Sequence, residues 1–122
     1  MESDIAFWQA ITQLAGTHRI VIDRPKGTAH PRYPRLIYPL DYGYIENTTA
    51  GDGDGIDVWL GSLSDKTLTG ILCTFDRLKR DAEIKLLIGC TREDIATIRS
   101  FNHPIMQMIF IPNPMVEDAL SD

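Results

Sequence analysis

Residues 38–57 of this 122-residue chain read YPLDYGYIENTTAGDGDGID. The stretch combines an aromatic segment at 42–45 with an acidic, glycine-rich segment that ends in DGDGID. Tyr and Ile favour strands, whereas Gly and Asp favour sharp turns. The pattern therefore predicts a strand at 42–45, a tight acidic loop, and another strand at 56–60.

The acidic loop contains three closely spaced carboxylates, Asp52, Asp54 and Asp57. The intervening glycines allow the backbone to turn so that all three side chains point inward. At an effective dielectric constant of about 20, two carboxylates roughly 4 Å apart repel by about 4 kcal/mol, so three convergent ones favour a bound cation. Oxygen ligands select Mg²⁺, Mn²⁺ or Ca²⁺ over zinc. A solvated acidic turn is the alternative, and the loop alone does not decide between the two.

The N-terminal part of the chain predicts a helix, a strand and a long loop. Ser3 is a suitable helix cap, and apolar residues recur every three positions from Ile5 to Leu14. The β-branched run within 18–23 predicts a strand. Residues 25–39 contain four of the seven prolines, which predicts an ordered loop rather than a helix.

The C-terminal part predicts a hairpin, a second helix and a last strand. Residues 68–75 and 83–88 are strand-like and are joined by a charged segment. Thr91 and Asp94 form a capping-box pattern before an amphipathic stretch, and 105–111 predicts a final strand. Short strands with a helix near each end predict an α+β, mainly β architecture, closed or nearly closed into a small barrel.

Composition limits the class of protein. The length suits one domain, residues 1–122, and the net charge of −5 argues against a nucleic-acid binder. No apolar stretch approaches the roughly 20 residues that cross a bilayer, and the N-terminus lacks the basic start of a secretory signal. Cys73 and Cys90 have no metal or redox spacing and are expected to be buried thiols. We therefore expect a cytoplasmic protein with neither a membrane nor a nucleic-acid partner.

The segment YPLDYGYI followed by DGDGID resembles the signature region of family I inorganic pyrophosphatases. Upstream, VIDRP at 21–25 resembles the strand end of that family, with Asp23 where the family usually has Glu. The resemblance extends over roughly 21–85. The run DRPKGTAHP at 23–31 is similar to the start of a group of short, divergent bacterial members.

This resemblance implies a small OB-like five-stranded β-barrel with an N-terminal helix and a helix near the C-terminus. It implies a polar mouth that binds Mg²⁺, or alternatively Mn²⁺, together with pyrophosphate. The implied activity is hydrolysis of inorganic pyrophosphate, or of a related phosphoanhydride, to phosphate. Family members often form oligomers, so a homo-oligomer is expected.

The resemblance also implies roles for individual residues. Asp54 matches the carboxylate that accepts a proton from the attacking water. Residues that match or adjoin metal-binding carboxylates of the family are Asp52, Asp57, Glu83, Asp23 and Asp81. Asp81 is a rival to Glu83, since the choice depends on the register of the hairpin. Residues implied to bind the phosphates are Arg32, Tyr42, Lys85 and Arg35.

The anion-binding half departs from the family pattern. The family's Lys-x-Glu reads RYP at 32–34, and the next strand, which carries a phosphate-binding arginine, is missing, so Arg35 is expected to substitute by reach. A C-terminal Tyr-Lys pair is replaced by FNH at 101–103. The alternative function is therefore a non-catalytic module that binds metal and a phosphorylated ligand. A third hypothesis, an OB-like nucleic-acid binder, is disfavoured because no basic stacking face is evident.

Overall fold

The computed structural model describes residues 2–116, with side chains from residue 4 onward. This part of the chain forms two helices and six strands: α1 (Glu2–Thr17), β1 (Ile20–Arg24), β2 (Asp41–Ile45), β3 (Ile56–Leu60), β4 (Leu68–Asp76), β5 (Asp81–Ile88), α2 (Arg92–Asn102) and β6 (Gln107–Pro112). Each element lies on a stretch for which the sequence predicts that type. The predicted cap Ser3 falls within α1, and its side chain lies outside the described part. Neither described helix has the length and hydrophobicity required to span a bilayer.

The strands form one sheet in the order β1-β2-β3-β5-β4-β6. The β3–β5 pair is parallel, and the other neighbouring pairs are antiparallel. Among the described strands, β1 and β6 form separate edges, so the prediction of a five-stranded barrel, closed or nearly closed, is wrong. The reason is that the long strand β4 pairs on one side with β5 and on the other with β6, which adds a sixth strand and leaves the sheet open.

Each face of the sheet carries its own hydrophobic core. On one face, Trp8 of α1 packs with Val58 and other strand residues. On the opposite face, Trp59 packs with Phe101 of α2 and with Tyr38 from the proline-rich loop. Because side chains alternate along a strand, the consecutive residues Val58 and Trp59 reach opposite cores. Burying a side chain of this size contributes about 1.5–3 kcal/mol, so both helices are held firmly against the sheet.

The start of α2 is fixed by the predicted capping box. The Thr91 hydroxyl accepts a hydrogen bond from the Asp94 N–H at 3.0 Å, and Asp94 Oδ2 accepts one from the Thr91 N–H at 2.9 Å. The same oxygen also accepts hydrogen bonds from the backbone N–H and the hydroxyl of Ser62. Asp94 therefore ties the start of α2 to the segment that follows β3.

The proline-rich loop is ordered, as predicted, by its own hydrogen bonds. The Gly27 N–H donates to the Tyr38 carbonyl at 2.8 Å, and the Tyr38 N–H donates to the Thr28 carbonyl at 2.9 Å. A tight turn at 33–36 is closed by a hydrogen bond from the Leu36 N–H to the Tyr33 carbonyl. The loop thus folds back across the α2 face of the sheet.

The thiols of Cys73 and Cys90 are both free; Cys90 is buried, as expected, and Cys73 only partly so.

Candidate active site

A cavity of about 770 Å³ lies on the α2 face of the sheet. It is bordered by strand residues, the acidic loop, the proline-rich loop and the end of α2. Nine of the ten residues for which the sequence implies a role line it: Asp23, Arg32, Tyr42, Asp52, Asp54, Asp57, Asp81, Glu83 and Lys85. The structure therefore brings together segments that are far apart in the chain.

Strand alternation explains how β5 contributes to this cavity. Asp81, Glu83 and Lys85 are spaced by two residues, so they share the face that borders the cavity. The parallel pairing of β3 with β5 sets Asp57 directly beside Lys85. Pairing of β2 with β3 then places Tyr42 next to Trp59. Three neighbouring strands thereby supply adjacent polar groups.

Lys85 forms the most buried charged contact in the cavity wall. Its Nζ lies 2.8 Å from the Tyr42 hydroxyl, 2.9 Å from Asp57 Oδ2 and 3.4 Å from Glu83 Oε2, and the residue is only 5% exposed. Burial alone would lower the pKa of Lys85, but the neighbouring Tyr42 oxygen and Asp57 carboxylate outweigh it, so the pKa is raised. Burial raises the pKa of Tyr42. Lys85 is therefore a fixed cation beside a protonated phenol.

The acidic loop is closed by hydrogen bonds within itself. Asp52 Oδ1 accepts a hydrogen bond from the Asp54 N–H at 3.0 Å, and Gly53 adopts a φ of 91°, which favours glycine. That hydrogen bond and a contact with the Glu83 carboxyl lower the pKa of Asp52. Burial raises the pKa of Glu83, and although the nearby Lys85 acts to lower it, the carboxyls of Asp52 and Asp57 add to the increase. Asp52 and Glu83 are therefore close enough to affect each other's pKa, and Asp54 is exposed at the rim of the cavity.

The expected convergence of all three loop carboxylates is wrong. Within residues 4–116, no three Asp, Glu, His or Cys side chains form a group able to hold a metal ion. The physical reason is that Asp57 is paired with Lys85, whereas Asp52 turns toward its own loop. The carboxyls of Asp52 and Glu83, which both border the cavity, still fit Mg²⁺ by donor chemistry, because this ion keeps several waters and takes only one or two carboxylates besides phosphate oxygens.

The cavity lining has more acidic than basic side chains. Seven carboxylates border it: Asp23, Asp52, Asp54, Asp57, Asp76, Asp81 and Glu83. Four side chains with a permanent positive charge border it: Arg24, Arg32, Lys79 and Lys85. An anionic ligand would be repelled by this excess of negative charge unless a cation accompanied it.

The structure differs from the sequence analysis at two basic residues, Arg35 and Arg24. Arg35 is exposed and does not line the cavity, because it occupies the tip of the tight turn at 33–36. Arg24, to which the sequence assigns no role, does line it. A β-bulge between Ile22 and Arg24 shifts the end of β1 relative to β2. The position of Arg24 just before Pro25 was the available signal, since the proline marks the strand end.

The rival carboxylates of the hairpin occupy different positions. Glu83 pairs with Thr74 in the sheet and contacts Lys85, whereas Asp81 pairs with Asp76 at the turn and is exposed. Asp76 is engaged in the turn itself, because its Oδ1 accepts hydrogen bonds from two backbone N–H groups at 2.9 and 3.1 Å. Of the two rivals, Glu83 is therefore the one that is part-buried and contacts Lys85, whereas Asp81 lies exposed at the turn.

Comparison with known proteins agrees with these features. The family model described as inorganic pyrophosphatase matches residues 15–80, more than half of the chain. The chain belongs to the inorganic pyrophosphatase family. Over 70 residues it is 36% identical to the inorganic pyrophosphatase of Geobacillus stearothermophilus, which covers 51% of this chain and 41% of that relative. Over 42 residues it is 45% identical to the inorganic pyrophosphatase of Leifsonia xyli subsp. xyli, covering 34% of this chain and 22% of that relative.

Solved structures of the family share the fold. An inorganic pyrophosphatase from Neisseria gonorrhoeae superposes with a TM-score of 0.61 at 17% identity, over 83% of this chain and 85% of the other. The inorganic pyrophosphatase of Helicobacter pylori gives a TM-score of 0.56 at 17% identity, over 83% and 86%. The curated relatives are matched over less than half of their own length.

Proposed function

We propose that this cavity binds Mg²⁺ and catalyses the hydrolysis of a phosphoanhydride, with inorganic pyrophosphate as the first substrate to test. The observation that carries the proposal is Lys85, a buried ammonium held by Tyr42 and Asp57 at the cavity wall. Burying a charge is costly unless it is paired, so a buried cation that borders a cavity is well suited to an anionic ligand. Family membership supports the same chemistry.

Asp52 and Glu83 would hold the ion, because both border the cavity and each affects the pKa of the other. Asp57 would become a third ligand of the ion when Lys85 binds an anionic ligand in place of the Asp57 carboxylate. Asp23 and Asp81 also border the cavity and are further candidate ligands of the ion. Mn²⁺ prefers similar oxygen ligands and is the alternative ion. When bound, the ion would neutralise phosphate oxygens and lower the pKa of a coordinated water.

The side chains of the protein would position the reactants. Lys85, Tyr42 and Arg32 would bind phosphate oxygens and align the anhydride. Asp54 at the rim would accept the proton of the attacking water. The water oxygen forms a bond to one phosphorus, the bond from that phosphorus to the bridging oxygen breaks, and two phosphates leave.

The test is release of orthophosphate from pyrophosphate with and without Mg²⁺, compared with a panel of nucleoside triphosphates. The proposal expects release that depends on the metal. If no phosphoanhydride is hydrolysed with either Mg²⁺ or Mn²⁺, the catalytic proposal is wrong.

A non-catalytic binding module is the second candidate. Two observations favour it: the residues of α2 that border the cavity, Phe101 and Asn102, carry no positive charge, and Arg35 stays outside the cavity. Such a module would bind Mg²⁺ and a pyrophosphate analogue without releasing phosphate. Homo-oligomeric assembly, a cytoplasmic location and a single domain over residues 1–122 stay predictions from the sequence.

A further inference from the structure

Three of the four permanent cations that border the cavity lie around His30. They are Arg24 at the end of β1, Arg32 in the proline-rich loop, and Lys79 in the turn between β4 and β5. Burial lowers the pKa of His30, and the charges of Arg24, Lys79 and Arg32 lower it further. Three separate segments of the chain therefore bring positive charge to the same part of the cavity wall.

These three cations have no carboxylate partner of their own. Among the described side chains, ion pairs involve Arg19 and Lys85 but none of the cations around His30. Asp76 lies near Lys79 and Arg32, but its Oδ1 accepts two backbone hydrogen bonds within the hairpin turn. Those hydrogen bonds lower the pKa of Asp76, and the two cations add to the effect. Because like charges repel, unpaired cations that converge on a cavity favour a bound anion.

His30 holds the loop segment that carries Arg32. Its Nδ1 accepts hydrogen bonds from the backbone N–H of Arg32 at 3.0 Å and of Tyr33 at 3.1 Å. The imidazole ring stacks on the buried ring of Tyr38, with 5.9 Å between centroids and an angle of 1° between planes. The guanidinium carbon of Arg32 lies 5.9 Å from the centroid of the Tyr33 ring. These contacts position Arg32 before a ligand binds, which reduces the entropy cost of binding.

Arg24 and Lys85 lie on either side of Tyr42. Arg24 is the partner of Tyr42 in the β1–β2 pairing, and the Tyr42 hydroxyl lies 2.8 Å from Lys85 Nζ. Strands β1 and β5, which carry the two cations, are on opposite sides of β2 in the sheet. Burial raises the pKa of Tyr38 and Asp23 adds to the increase, whereas Arg24 and Lys85 act to lower it, so Tyr38 is near both cations. An anion that contacts Lys85 can therefore extend past the tyrosines toward Arg24.

We propose that Arg24, Arg32 and Lys79 form a second phosphate-binding position, which binds the phosphate group of the substrate that does not contact Lys85. This inference rests on the proposed function, since it places the other phosphate beside Lys85. The family resemblance implies no role for Arg24 or Lys79. These two side chains replace the cations that the chain lacks on the missing strand and at its C-terminal end. An arginine can bind two oxygens of one phosphate at once, and a lysine adds a point charge.

The test measures binding of methylenediphosphonate, a pyrophosphate analogue with a P–C–P bridge, to the full chain by calorimetry with Mg²⁺. Arg24→Gln and Lys79→Gln should each weaken binding by about tenfold, because each removes a hydrogen bond to a charged oxygen. Arg24→Lys and Lys79→Arg keep the positive charge and should restore most of the lost affinity. Failure of both charge-conserving variants to restore it would show that the loss is structural and that the inference is wrong.

Two matched controls remove the same charge outside the cavity. Lys26→Gln lies two residues from Arg24, and Arg77→Gln lies two residues from Lys79; both positions are exposed and neither borders the cavity. Both control variants should bind the analogue as wild type does. Equal losses in the controls and in the cavity variants would reduce the effect to net charge and overturn the inference.

Lys85→Met separates this inference from the proposed function. If Lys85→Met weakens binding of the analogue while Arg24→Gln and Lys79→Gln bind it as tightly as wild type, the second phosphate position is wrong and the proposed function stands. If wild type itself does not bind methylenediphosphonate with Mg²⁺, both are wrong.

Discussion

The ammonium of Lys85 lies 2.9 Å from the carboxylate of Asp57. This pair joins a residue implied to bind phosphate to a residue implied to bind metal. The Lys85 side chain is 6% exposed and that of Asp57 24%, so solvent screens the pair only partly. Without a bound metal ion, Lys85 therefore balances the negative charge of the Asp57 carboxylate, which is also a proposed ligand of the ion.

Lys85→Met should consequently have two opposite effects. Binding of methylenediphosphonate should weaken, because the buried cation is lost. Binding of Mg²⁺ should strengthen by roughly tenfold, because Asp57 is released from its internal competitor. Calorimetric titration of both ligands, with the exposed Lys66→Met as control, measures both effects.

Mg²⁺ should raise the melting temperature if the acidic residues bind it. A ligand that binds only the folded state adds about 2.7 kcal/mol to the free energy of unfolding when its free concentration is 100 times its dissociation constant. Asp52→Asn should remove most of the increase, since Asp52 borders the cavity together with Glu83 and is a proposed ligand of the ion. Thermal denaturation with increasing Mg²⁺ measures this. A shift of equal size in the variant would place the ion elsewhere.

Asp54→Asn should separate catalysis from metal binding. Asp54 is exposed at the rim and is proposed to take the proton of the attacking water. An amide of the same size cannot accept that proton, so kcat should fall by about 10²–10⁴ while Mg²⁺ affinity changes little. Asp57→Asn should weaken metal binding first. The control is Asp65→Asn, an exposed carboxylate outside the cavity. If Asp54→Asn hydrolyses the substrate with the kcat of wild type, Asp54 is not the general base.

Asp94→Asn should destabilise the fold in a pH-dependent way. Burial works to raise the pKa of Asp94, but hydrogen bonds from Ser62 and Thr91 outweigh it, so the pKa is lowered. A lowered carboxyl pKa contributes stability above its unfolded value of about 3.9 and loses it as the pH falls through the folded value. The variant should therefore be less stable by about 2 kcal/mol at pH 7 and nearly equal to wild type at the lowest pH.

Urea unfolding at a series of pH values measures the difference between wild type and the Asp94 variant. Other titrating groups are common to both proteins, so their contributions cancel. Glu93→Gln, an exposed change in the same helical turn, should show no such dependence. A stability difference that stays constant from pH 7 to acid would show that the charge of Asp94 is not responsible.

Local features were predictable from the sequence because their causes are local. The capping box needs only Thr91 and Asp94, three residues apart, and the opposite burial of Val58 and Trp59 follows from strand alternation. Pairings between distant segments were not predictable in the same way. Strands β3 and β5 pair in parallel although β4 lies between them in the sequence. This pairing places Asp57 beside Lys85, 28 residues away. Motif resemblance located the residues of the cavity, but it did not indicate this neutralising ion pair.

Barrel closure illustrates the same limit. Six strand-like segments are visible in the sequence, but nothing in their periodicity states which edges pair. Residues 105–111 were recognised as a strand, yet its position beside β4 depends on Met108 and Phe110 packing against the core under α2. The six strand-like segments of the sequence therefore predicted the number of strands correctly, whereas the five strands implied by the family resemblance did not.

Gly43 should be the least replaceable position of the YGYI motif. A Cβ built there would overlap the carbonyl oxygen of Val21, because β1 and β2 approach each other closely at the Ile22–Gly43 pair. Neither backbone can shift without breaking strand pairing, so Gly43→Ala should cost about 3 kcal/mol or more. Gly16→Ala is the matched control: a Cβ there meets nothing within 4 Å, and the position lies in a helix. It should stabilise by up to about 1 kcal/mol. Urea denaturation of both variants measures the contrast, and a Gly43→Ala protein as stable as wild type would show that β1 and β2 are not paired as described.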